Sequence, residues 1–510
     1  MTDVPLERAR RRRVRLGVDV LASVNLVGTL VKYLSLALAL PLFVALIYSE
    51  SPWPWVASAA AGIGFGALLE VVTRGRHRVG VREGFLVVAL TWLLAAALGA
   101  ISLLLSGEDQ YARPLDAYFE AMSGFTTTGA TVATDVGDLP HSVLIWRQFS
   151  QWLGGMGIIV LFLAVLPRLR VGGRQMFESE LPGPELELST RIQDTARRLW
   201  LLYVGLSVAQ IVTLTGLGWT GVDERMNLFE AVAHTFSTMP TGGFSTQVRS
   251  VEEFAAASQW VIALFMALAG ANFALTYRAL LRRQPSVFVR DEEFRLYIGL
   301  LTLGSLALFV ELLARDVFAG EAAVRHAVFQ AVSIMTTTGL VSADFNLWGL
   351  LAAVVLVALM FFGGSAGSTA GSVKVIRHLL LGRIFRRELD LTIHPELVSR
   401  VRYNGRPVQG HILRAVQSFV MLYVGLFAVG TFLLVADAAR VGLDLRLIDA
   451  VGAAATTLGN VGPAFGFAGP MGSFEPFSDV STGVMVVLMW AGRLEIIPVA
   501  VLLTRSYWRN

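Results

Sequence analysis

The sequence predicts an all-α integral membrane protein: an N-terminal helical hairpin, then four helix–pore-loop–helix repeats with pseudo-fourfold symmetry around one pore. Three observations lead there. The chain has long apolar runs and little charge, its basic clusters alternate with acidic segments, and one polar motif recurs four times.

Of the 510 residues, 55% are hydrophobic and 16% charged, and the mean hydropathy is +0.62. Soluble domains carry about 25% charged residues. The runs 29–48, 84–106, 196–217 and 411–436 each reach the roughly 20 residues that cross a bilayer. Cysteine is absent, which excludes disulfides and thiolate metal sites. The seven His form no HxH or HxxxH pair, which argues against a transition metal.

Basic clusters recur at Arg74–Arg82, Arg168–Arg174, Arg191–Arg198, Arg278–Arg290, Lys374–Arg387, Arg400–Arg406 and Arg505–Arg509. Between them lie Glu108-Asp109, Asp135–Asp138, Asp223-Glu224 and Glu252-Glu253. The positive-inside rule puts the basic clusters and both termini in the cytoplasm. Residues Arg8–Arg15 precede the first span with no cleavage site after it, so no cleaved signal peptide is expected. Nucleic-acid binding is the poorer reading of this charge, because it flanks membrane spans.

The hairpin (spans near 18–48 and 54–73) occupies 1–80. Four repeats are assigned to 81–175, 190–290, 291–390 and 405–510, giving ten spanning helices and four pore helices. Each repeat carries a triplet: Phe119-Glu120-Ala121, Phe229-Glu230-Ala231, Phe329-Gln330-Ala331 and Ile448-Asp449-Ala450. A polar stretch follows: Thr126-Thr127-Thr128-Gly129, Pro240-Thr241-Gly242-Gly243, Thr336-Thr337-Thr338-Gly339 and Gly459-Asn460-Val461-Gly462. From acid or amide to final glycine the separations are 9, 13, 9 and 13 residues, an alternation of about one helical turn. So few residues cannot span a bilayer, so each reads as a re-entrant pore helix and loop. Non-helical backbone at that depth is tolerated only against protein or a water-filled cavity.

None of the four stretches holds Asp, Glu, Lys or Arg, which excludes a carboxylate ring for divalent cations and a basic ring for anions. Carbonyl and hydroxyl oxygens remain, ligands that replace the hydration shell of a large monovalent cation. Glycine permits the backbone angles such a loop needs, and the pore helices' C-terminal dipoles add negative potential. Glu120, Glu230 and Asp449 fall near helix starts and read as structural caps.

At these residues the chain resembles the Trk/Ktr/HKT superfamily of potassium transporters, on its Trk branch. The resemblance rests on Ser123–Thr131, Gln151–Gly157, His234–Thr238 with Gly242–Thr246, Gly364–Thr369, Asn460–Pro463 and Gly492–Glu495, and it covers every repeat. It implies a potassium-selective filter at Thr126, Thr127, Thr128, Gly129, Thr241, Gly242, Gly243, Thr336, Thr337, Thr338, Gly339, Asn460, Val461 and Gly462. Pro240 departs from the Thr pattern and removes one backbone donor. Potassium would be the permeant ion. The family further implies a homodimer in membrane lipid, in the bacterial inner membrane, gated by a cytosolic TrkA-type ring that carries the nucleotide (NAD or ATP).

The second span of repeat three is interrupted by Gly363–Ser372, ten small residues that do not favour helix. By resemblance Gly364, Ser365, Ala366, Gly367, Ser368, Thr369, Ala370, Gly371 and Ser372, with Lys374 and Arg493, form a gate beneath the filter. Small-residue helix packing is the plainer reading of the run. A phosphate loop is disfavoured, since no GK[ST] ending follows. Arg493 stands in an apolar span, either facing the pore or snorkelling to the interface. Asn272 is a further candidate for the same pore region.

Two other classes fit less well. A coupled transporter built on inverted repeats would reverse alternate repeats, whereas these run parallel. An enzyme would need a Ser/His/Asp or metal constellation, and none is present at matched depth.

Overall fold

The computed structural model describes residues 18–75, 80–164, 188–397 and 399–509. The basic segments Arg8–Arg15 and Arg168–Arg174 lie outside them. Helices dominate, and the one sheet among the described residues is an antiparallel pair, β1 (Arg402–Tyr403) and β2 (Arg406–Pro407).

The hairpin comprises Val20–Ile47, broken by a short 3-10 turn, and Trp53–Val72. Asp19 starts it by accepting from the amide of Ala22 (2.9 Å). Its helices cross where Gly28 and Gly66 meet, each so close to the other's backbone carbonyl that a Cβ would overlap it. Lys32 and Glu70 pair one turn beyond the crossing at 2.7 Å.

Each repeat then runs first helix, pore helix, second helix. The first helices are long and continuous: Val81–Ser106, Leu188–Trp219, Glu292–Ala314 and Gly410–Val441. With the two of the hairpin they supply the six helices long and apolar enough to cross a membrane among the described residues. Local sequence sets their ends. Asp291 accepts from Phe294 N (2.8 Å) at one start, and Gly107 and Gly442 end two others in the left-handed conformation.

The second helices are less regular than ten continuous spans, the break in repeat three being the one expected at Gly363–Ser372. The first is His141–Ala164, but the second is split into Ala256–Gly270 and Phe273–Leu280, which meet at 112°. The third is split into Leu350–Phe361 and Val375–Ile393, and the fourth is only Asp479–Arg493 before a turn. The two breaks satisfy one another. Ser365 N donates to Gly270 O (2.8 Å) and Phe273 N to Gly367 O (3.2 Å), so backbone groups freed by one break meet those freed by the other. Asn272 stands at the first break as a helix cap, its side chain accepting from Ala274 N (2.9 Å) and Leu275 N (3.1 Å). That role replaces the pore-facing one expected of it.

Two large buried apolar clusters tie the repeats together: one joins the hairpin with repeats one and four, the other joins repeats two and three with part of four.

Candidate functional site: a ring of four capped loops

The pore helices are Pro114–Phe125, Leu228–Thr238, Gly320–Met335 and Leu447–Gly459. All four end the same way. The second residue of each polar stretch is left-handed: Thr127 (φ 52°), Thr241 (57°), Thr337 (57°) and Asn460 (54°). The next amide then folds back onto a carbonyl five residues earlier: Thr128 to Ser123, Gly242 to Ser237, Thr338 to Ser333 (2.8 Å each) and Val461 to Thr456 (2.9 Å). This is a Schellman cap, which glycine usually completes. Here residues with side chains do so.

One residue further on, the chain turns again at Gly129 (φ 84°), Gly243 (87°), Gly339 (81°) and Gly462 (112°). A Cβ on Gly129 would strike the carbonyl oxygen of Gly242. One on Gly243 would strike that of Thr338, on Gly339 that of Val461, and on Gly462 that of Thr128. The contacts run from loop one to two, two to three, three to four and four to one. The four stretches form a closed ring in which positive φ and close approach both require glycine.

The segments after the glycines close a second ring. Arg147 Nη1 donates to Ser245 O (3.2 Å), Val251 N to Val341 O (3.0 Å), Asn346 Nδ2 to Gly466 O (3.2 Å) and Phe474 N to Thr131 O (2.8 Å). Above the glycines a solvent-open cavity is lined by residues of all four segments, among them Thr131, Ser245, Val341 and Pro463.

Glu120 does not cap a helix start. It lies midway along its pore helix and is 1% exposed. It accepts from Thr131 Oγ1 (2.9 Å), Val132 N (3.0 Å) and Arg147 Nε (2.8 Å), tying the helix to the segment past Gly129. Glu230 does the same with Thr246 and Gln247, while Asp449 pairs with Arg446 (2.8 Å). In repeat three Gln330 replaces the acid, and its buried amide has no partner among the described residues.

The run Gly364–Ser372 lies against the helix-side face of the ring. Gly371 N donates to Thr337 Oγ1 (2.6 Å), and Thr369 Oγ1 to Met239 O (3.0 Å) and Ala269 O (3.3 Å). Ser372 Oγ donates to Met360 O (2.6 Å), Lys374 Nζ to Ala370 O, and Ser368 Oγ to Ser365 O (2.6 Å). Arg493 is 2% exposed, so it does not snorkel. Its Nη1 donates to Thr369 O (2.9 Å) and its Nη2 to Gly154 O (3.2 Å), bridging the run to the second helix of repeat one.

Three supporting residues escaped the sequence reading: Arg147, Gln151 and Glu293. Glu293 accepts from Ala366 N (2.6 Å), and Gln151 holds loop two. Arg147 and Gln151 were visible only as polar residues in a largely apolar helix, and Glu293 only as one of the charges in Arg290–Arg295. Among the described residues no group of three or more His, Asp or Glu is placed to hold a metal.

A model of the family described as cation transport protein matches residues 56–509. The Trk system potassium uptake protein TrkH of Salmonella typhimurium is 37% identical over 495 residues, covering 96% of this chain and 99% of that protein. The Trk system potassium uptake protein TrkG of Escherichia coli is 33% identical over 496 residues, covering 95% and 98%. The crystal structure of the potassium transporter TrkH from Vibrio parahaemolyticus superposes with a TM-score of 0.86 at 34% identity, covering 96% of this chain and 100% of that one.

The Glu120–Arg147 pair yields a prediction, because removing one partner of a buried ion pair leaves an uncompensated charge. Arg147→Met should lower unfolding free energy by about 3–5 kcal/mol. Adding Glu120→Gln should recover part of the loss. Thermal unfolding of the purified protein in detergent checks this, and equal melting of parent and Arg147→Met would contradict it.

Proposed function

The chain belongs to the TrkH family of cation transport proteins, and from that premise we propose that it takes up potassium through a gated, channel-like pore across the bacterial inner membrane. The observation that carries the reading is the closed ring of four capped loops, each with a glycine against the next loop's carbonyl. It is a transport protein and not an enzyme.

The filter is the ring of Thr126–Gly129, Thr241–Gly243, Thr336–Gly339 and Asn460–Gly462. No side-chain charge faces the ion there, so backbone carbonyls and threonine hydroxyls replace its water. Potassium enters from the cavity above the glycines, which lies on the outer side. The pore-helix C-termini point their negative ends at the path below. Loop Gly364–Ser372, with Lys374 and Arg493, is the gate. It lies across the path below the ring, and the Arg493 guanidinium adds a positive charge that opposes cation passage.

The relatives' name, Trk system, points to further subunits. The chain pairs as a homodimer within the lipid, both termini cytoplasmic, and its basic loops receive a TrkA-type ring that binds the regulating nucleotide.

Two results test this. Gly129→Ser or Gly339→Ser should lower potassium preference or abolish uptake, since a side chain there has neither φ nor space. Growth of a potassium-uptake-deficient strain on limiting potassium reads the effect, and parental growth and selectivity in both variants would refute the filter assignment. Shortening Gly364–Ser372, or Arg493→Ala, should raise basal potassium flux in vesicles without changing ion preference. Unchanged flux per inserted protein in both would make the run a packing element.

A further inference from the structure

The four loops are not braced alike. Loops one and three brace themselves. Thr126 Oγ1 donates to Met122 O (2.7 Å) and lies 2.8 Å from Thr128 Oγ1. Thr336 Oγ1 donates to Val332 O (2.7 Å) and lies 2.8 Å from Thr338 Oγ1. Loops two and four have no hydroxyl at either position, where Pro240 and Gly242, and Gly459 and Val461, stand instead. Loop four is tied by its own left-handed residue: Asn460 Nδ2 donates to Thr128 Oγ1 and Met489 O (3.0 Å each).

The left-handed residue of loop two is anchored only weakly, its Thr241 Oγ1 lying 3.5 Å from Thr369 Oγ1. The hydroxyl of its left-handed Thr241 turns back to the adjacent Pro240 O (2.5 Å). Pro240 lacks the amide that Thr126 and Thr336 donate to their helices. Two consecutive glycines follow, the pair least able to hold a conformation unaided. Their restraint comes from another repeat. Gln151, on the second helix of repeat one and fully buried, donates Nε2 to Gly242 O (2.7 Å), and its Oε1 accepts from Phe244 N (3.3 Å). One planar amide thus grips the backbone on both sides of Gly243. A Cβ on Gly242 would overlap that amide, so Gln151 leaves room only for glycine there.

We propose that Gln151 is a specificity-determining positioning residue that holds the second loop at the width suited to potassium. The inference rests on the potassium-filter reading above. A carbonyl ring discriminates against a smaller cation only if its loops resist closing in on it, and the loop with Pro240, Gly242 and Gly243 resists least. The Gly242 oxygen has two lone pairs. Gln151 fixes its direction through one and leaves the other free.

The test is potassium and sodium uptake by purified protein in vesicles, normalised to inserted protein. Gln151→Leu removes both hydrogen bonds at similar volume, whereas Gln151→Glu keeps only the acceptor toward Phe244 N. Gln148→Leu is the control: Gln148 is equally buried on the same helix, and its amide has no partner among the described residues. Gln151→Leu should lower the preference for potassium over sodium by about tenfold, the order of the net worth of the two buried hydrogen bonds lost. The loss should come mainly through increased sodium uptake. Gln151→Glu should fall between, and Gln148→Leu should keep the parental ratio. A parental ratio in Gln151→Leu, or an equal fall in Gln148→Leu, overturns the proposal. If Gln151→Leu does not insert, Gln151→Glu decides by the same criterion. A parent that does not itself prefer potassium would refute the filter reading rather than this one.

Discussion

The arrangement depends on one backbone event made four times: a pore helix stops because the residue after its last turn enters the left-handed region. Three of those residues are threonine and one is asparagine. A β-branched residue there costs of order 1–3 kcal/mol and persists only where its surroundings over-determine it. Two capping hydrogen bonds hold each threonine turn from within. They run from Thr127 N to Gly124 O (2.9 Å) and from Thr128 N to Ser123 O (2.8 Å) in the first loop, with counterparts in the second and third. The neighbouring loops hold it from outside. Once that turn is made, the following carbonyl must lie against the next loop, and only glycine fits at the point of contact.

The proposed gate is built on the same groups. Thr337, left-handed in loop three, accepts the Gly371 amide. Thr369 reaches the carbonyl of Met239 at the end of the second pore helix, and Arg493 ties Thr369 to Gly154. Gly154 and Gly492 in turn sit so close to the carbonyls of Phe125 and Leu458, at the ends of pore helices one and four, that neither tolerates a side chain. The four loops, the Gly364–Ser372 run and the second helices therefore share one hydrogen-bonded framework. Movement of the Gly364–Ser372 run would have to exchange hydrogen-bond partners with the four loops.

Much of this was legible in the sequence. Periodic spans, the triplet, the polar stretch and the ten-residue interruption are patterns of composition, and composition survives without coordinates. The break at Ala271-Asn272 was not legible, because only two residues mark it and the groups that satisfy it come from Gly364–Ser372, nearly a hundred positions away. Left-handed threonines were hidden for the opposite reason: local preference argues against them, and tertiary contacts win. Glu120 read as a cap because neither the helix start at Pro114 nor its partners Thr131 and Arg147 were visible. Gln151 lay inside a motif that carried the resemblance, yet nothing in its spacing pointed to Gly242.

The most direct measurement is the position of a bound ion. Crystals of the protein grown with rubidium and measured at its absorption edge should show an anomalous peak on the axis of the ring. The peak should lie within coordination distance of the carbonyls of Thr128, Gly242, Thr338 and Val461. Rubidium bound elsewhere in a transport-competent protein, with the ring empty, would contradict the assignment of these loops as the filter.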